Sequence, residues 1–109
     1  MTNNKKVPEL SKREFESFIS KGNTIVDFFA EWCMPCLMMS PIIEDLNEKF
    51  RGKIKFGKVN IDENQELARK FNISSIPNLI IFNDGKPINQ IIGMASSKEI
   101  KEKIKKFLK

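Results

Sequence analysis

Thr24-Ile25-Val26-Asp27-Phe28-Phe29-Ala30, followed by Glu31-Trp32-Cys33-Met34-Pro35-Cys36, is the stretch on which the fold turns. Its first seven residues are almost continuously apolar and rich in β-formers. Such a run reads as a strand buried on both faces, and hence parallel to its neighbours. Beyond Trp32 the period changes: Leu37, Ile42, Ile43, Leu46 and Phe50 fit a long helix over about 34–50, closed by Arg51-Gly52. Pro41 lies inside that helix, where it removes one backbone hydrogen bond and is expected to bend the axis.

Working outward, Val7 to Leu10 reads as a short edge strand, since Pro8 argues against a central one. Ser11-Lys12-Arg13-Glu14 is a capping box opening a helix over about 11–20, with Phe15, Phe18 and Ile19 on one face. Ile54 to Ile61 alternates apolar and polar residues as a strand does. Asp62 is expected to cap a short helix over about 63–71, with Leu67, Ala68 and Phe71 inward. Asn78 to Asn83 and Pro87 to Gly93 are two strands joined by the turn signal Asp84-Gly85. Ser96 to Glu99 is a second capping box, and Ile100, Ile104, Phe107 and Leu108 form the stripe of a last helix over about 97–108. Two of the methionines after the second cysteine, Met38 and Met39, are expected in the core.

The order β-α-β-α-β-α-β-β-α predicts an α/β fold, a mixed central sheet with helices on both faces. A chain of 109 residues is too short for two independent cores. The expectation is a flexible N-terminus over 1–6 and one domain over 7–109. With 40% apolar and 30% charged residues, the composition is that of a globular protein. The longest strongly apolar stretch, Leu79 to Phe82, is too short to span a bilayer. Met1 to Leu10 lacks the apolar core of a signal peptide, so the expected location is cytoplasmic.

Histidine is absent, which excludes Cys-His and Ser-His-Asp catalysis and His-ligated metal sites. The net charge of +5 is carried mostly by lysine. In the last helix Lys98, Lys101, Lys103, Lys105, Lys106 and Lys109 are interleaved with Glu99 and Glu102, as on a solvated face. No stacking aromatics lie on a basic sheet, so nucleic acid is not an expected partner.

The chemistry points to Cys33 and Cys36. Residues three apart in a helical turn have Cβ atoms about 5–6 Å apart, and a small adjustment brings the sulfurs into bonding geometry. Cys33 falls at the helix N-terminus, where unpaired amides and the helix dipole stabilise a thiolate, the reactive form of cysteine. It is the expected nucleophile, and Cys36, one turn in and more shielded, the resolving thiol. A structural staple is one alternative, but closing so short a loop is worth only about 2 kcal/mol. Half of a zinc site shared by a dimer is another, since two thiolates cannot close a tetrahedral site alone. A preceding buried strand and a proline-bent helix favour the redox reading.

Here the chain resembles the thioredoxin family. Ala30 to Cys36 is similar to its active-site segment, Val26 to Ala30 to the preceding strand and Pro41 to its helix proline. Lys58-Val59-Asn60-Ile61-Asp62, Ile76-Pro77 with Leu79, Phe82 to Gly85, and Gly93 extend the likeness from about residue 7 to the C-terminus. Two positions depart from the pattern: Met34 replaces a usual glycine, and Leu37 a frequent basic residue.

The resemblance implies a thioredoxin fold and a protein-disulfide reductase that needs no cofactor beyond its own Cys33–Cys36 disulfide. It implies that Asp27, a carboxylate interrupting an apolar strand, exchanges a proton with Cys36, with Lys58 as its neighbour. It implies a cis bond at Pro77, and a substrate surface of Trp32, Met34, Pro35, Ile76, Pro77, Gly93 and Met94. The implied partners are protein disulfides and a thioredoxin reductase as electron donor, with the chain itself expected to be a monomer. Leu37 brings no cation to the thiol and Glu31 is an anion nearby, so a reductant is expected, with a Cys33 pKa near neutral. A disulfide oxidase or isomerase on the same fold, and a non-catalytic binding module, are the alternatives.

Overall fold

Ser11 starts the first helix as read: its hydroxyl accepts from the Glu14 amide while the Glu14 carboxylate accepts from the Ser11 amide, satisfying two otherwise unpaired donors. A computed structural model describes residues 7–108, so the expectation for residues 1–6 lies outside the described part. The elements are α1 (Lys12–Ile19), β1 (Asn23–Phe29), α2 (Met34–Lys49), β2 (Ile54–Asn60), α3 (Gln65–Lys70), β3 (Asn78–Asn83), β4 (Lys86–Ile92) and α4 (Ser97–Phe107). The β3–β4 turn uses Asp84 and Gly85, both at positive φ, and the Asp84 carboxylate accepts from the Gly22 amide.

The sheet runs β2-β1-β3-β4. β1 is parallel to β2 but antiparallel to β3, which corrects the expectation of parallel neighbours on both sides. Burial on both faces reflects helices above and below the sheet, and it does not dictate strand direction. On one face Ile25, Leu79 and Ile81 pack with Met39, Ile43 and Leu46 of α2 and Ile100 and Ile104 of α4. On the other, Val26, Phe28, Ile80 and Phe82 pack with Phe15 and Ile19 of α1 and Leu67 of α3.

Three further expectations are corrected. The first edge strand reduces to a single bridge, Glu9 to Lys58, because Pro8 has no N–H to extend the pairing and Leu10 leads straight into the Ser11 cap. Asn64, not Asp62, occupies the N-cap position of α3, and its side chain makes no capping bond. Met38 is 60% exposed while Met39 is fully buried, since adjacent helix residues point about 100° apart.

Candidate active site

The parallel register decides what meets at the sheet's active end. Phe29 pairs with Asn60, and the Ile61 amide donates to the Phe29 carbonyl, so residues following the two strands lie side by side. Cys33 then caps α2. Its sulfur accepts from the Cys36 amide at 3.2 Å, and its carbonyl accepts from the Leu37 amide. Pro35 sits in the first turn, where a missing N–H costs nothing.

Cys33 and Cys36 are joined by a disulfide, with Cα atoms 5.3 Å apart. Both are 4% exposed, so in the oxidised state burial does not distinguish them; their positions at the helix end do. The pair packs against Ala30, with Phe29, Ile61 and Ile76 alongside. The Ile76–Pro77 bond is cis, and the Pro77 carbonyl accepts from the Gly93 amide at 2.8 Å, which ties the two loops together. Trp32 is 70% exposed and Met34 64%, and Met94 also faces solvent.

Asp27 lies on the sheet face of Ile25, the face covered by α2, two residues before Phe29. Burial raises its carboxyl to about 7, and Lys58, its partner across the parallel ladder, pulls the other way. Its Oδ1 is buried without a hydrogen-bond partner among the described residues. The Lys58 ammonium also sits 5.5 Å from the Phe29 ring centre.

Sequence reading missed one contact. The Trp32 indole N–H donates to the Asp62 carboxylate at 2.9 Å, and the Asp62 amide donates to the Asn60 side chain. It follows from the β1–β2 register, which the sequence does not mark: Phe29 pairs with Asn60, so Trp32, three residues beyond Phe29, meets Asp62, two beyond Asn60. Among the described residues, no group of three or more Cys, Asp or Glu side chains is placed to hold a metal. No helix there is long and apolar enough to cross a membrane.

The thioredoxin family model matches residues 6–106. This chain belongs to the thioredoxin family. It is 46% identical over 85 residues to a thioredoxin of Chlamydia pneumoniae, covering 78% of this chain and 82% of that one. A thioredoxin of Staphylococcus saprophyticus is 37% identical over 102 residues, covering 94% and 98%. The fold superposes on a single-site mutant of a thioredoxin from Halobacterium salinarum with a TM-score of 0.86 at 25% identity, over 100% of this chain and 96% of that one. This chain is a thiol-disulfide oxidoreductase acting through its own cysteine pair, without a separate cofactor. Family membership implies protein disulfides as substrates and a reductase as donor.

Proposed function

We propose that Cys33 is the attacking thiolate and Cys36 the resolving thiol of a protein-disulfide reductase. The observation that carries this is the disulfide at the N-cap of α2, where the Cys36 amide donates to the Cys33 sulfur at the positive end of the helix. In the reduced protein, Cys33 attacks one sulfur of the substrate disulfide. A mixed disulfide forms and one substrate thiolate leaves. Cys36 gives its proton to the Asp27 carboxylate through water and attacks the Cys33 sulfur, releasing the second substrate thiolate. The substrate gains two electrons and two protons, and the enzyme is left with the Cys33–Cys36 disulfide. A carboxyl near 7 suits this proton exchange at neutral pH, and Lys58 keeps it from rising further.

The extended substrate chain lies along the Ile76 backbone beside Pro77, with Trp32, Met34, Pro35, Gly93 and Met94 forming the apolar surround. Flexible Met34 and Met94 suit varied partners. A thioredoxin reductase returns the electrons. We place the protein as a monomer in the cytoplasm, where reducing power is available.

The test is a pair of variants and one potential. Cys33→Ser stops disulfide reduction outright, whereas Cys36→Ser still attacks and accumulates the mixed disulfide. The pair titrates in defined thiol buffers, read by Trp32 fluorescence, with a midpoint about −270 mV for a reductant. A midpoint of about −180 to −120 mV would assign the protein to disulfide isomerisation or oxidation instead.

A further inference from the structure

At the end of the sheet opposite the disulfide, a groove of about 760 Å³ opens between the C-terminal end of α2, the first residues of β1 and β2, and α4. Asn23 at its edge begins β1, and that seven-residue strand separates it from the redox centre by about 20 Å. Phe50, Ile54, Ile104 and Leu108 give it apolar walls. Among the described residues, Lys53, Lys98, Lys101 and Lys105 line it, against one acidic residue, Glu102.

The lysines of α4, alternating with acids in sequence, are sorted by the helix. Lys98, Lys101 and Lys105, at spacings of three and four, turn to this groove, while Lys103, Lys106 and Glu99 line a different one beside β4. Like charges at these spacings oppose the helix. Lys49 of α2 adds a further amine against Lys101 and holds that ammonium below the usual lysine range, against the opposing pull of Asp45. The groove therefore concentrates positive charge that the acids among the described residues do not balance.

We propose that this groove binds one molecule of a small amphiphilic anion, an apolar body with a phosphate or carboxylate head, at a site separate from the disulfide. The head is held between Lys101 and Lys105 with Lys53 opposite, and the body lies on Phe50, Ile54, Ile104 and Leu108. The volume is that of a small-molecule pocket. An isolated phosphate leaves the apolar walls wet, and an uncharged chain leaves the ammonium groups unneutralised.

The test is calorimetric titration of the full chain with monomeric dodecyl phosphate and, separately, dodecanoate, which distinguishes the two head groups. Inorganic phosphate, dodecanol and anionic phospholipid vesicles are the controls. Saturable one-to-one binding is expected for at least one amphiphile. Lys101→Gln with Lys105→Gln weakens it by about tenfold, which is about 1.4 kcal/mol. Lys53→Gln alone weakens it less, and in both variants disulfide reduction and thermal midpoint confirm an intact fold. Inorganic phosphate or dodecanol binding as tightly as the amphiphile, an unchanged affinity in both variants, or binding to vesicles alone would each overturn the proposal.

Discussion

Asp27 shows how one residue carries a charge into the core at a cost. Its folded carboxyl titrates at about 7, against 3.8 for an ordinary aspartate, because burial disfavours the charged form more than Lys58 restores it. Between those values the folded chain holds a proton that the unfolded chain has lost. Stability therefore falls as pH rises through this window and is level above it. The loss attributable to Asp27 is on the order of 4 kcal/mol. Asp27→Asn removes it: urea denaturation at pH 8 should find the oxidised variant more stable by up to that amount, and at pH 4 nearly equal to the parent. A gain independent of pH would show that packing, not ionisation, is responsible. The same variant should release substrate from the Cys33 mixed disulfide more slowly, since Cys36 loses its proton acceptor.

Among the elements, the helix caps and one close approach hold predictable shares of the stability. Ser96 opens α4 with a reciprocal box to Glu99, matching that of Ser11 and Glu14 in α1. Ser96→Ala should cost about 1 kcal/mol by chemical denaturation. Gly57 in the middle of β2 lies under α1: a Cβ there would stand 2.8 Å from Leu10 Cδ1 and 2.9 Å from Phe18 Cε2. Gly57→Ala should destabilise by about 1 kcal/mol, because both side chains must shift in a filled space. α2 runs through Pro41 without a break in the helix, at the loss of the bond that the Leu37 carbonyl would otherwise accept. Leu37, one of the apolar residues that fit the helical period, is exposed in the first turn.

Across the whole molecule, the sheet separates two cores of different character. The α2–α4 side is mostly aliphatic, with Phe56 among it, and carries Asp27, whereas the α1–α3 side is built around Phe15, whose ring lies 5.5 to 6.3 Å from those of Phe71, Phe82 and Phe28. Phe15→Ala opens a cavity where four elements or their ends meet and should cost about 3–5 kcal/mol. That is a large part of the stability of a domain this size, so a sharply lowered denaturation midpoint is expected, with disulfide reduction retained at low temperature. The ion pairs Lys12–Glu66, Lys70–Glu16 and Arg51–Glu48 all lie on the surface and contribute little beside it.

Local patterns were enough for the capped helices α1 and α4, the hairpin and the cysteine pair, because caps, turn residues and a three-residue spacing act over a few bonds: Ser11, Ser96, Asp84-Gly85, Cys33 and Cys36 are legible without any partner. Asp27 was legible as a polar break in an apolar run. Strand direction was not, since a residue buried from both faces carries no mark of which neighbour runs which way. Nor were the Asp62–Trp32 contact, the exposure of Met38 or the gathering of Lys53 with Lys101 and Lys105. These depend on where strands and helices distant in the chain come to rest, and only the packing of helices on both faces of a mixed sheet sets those positions.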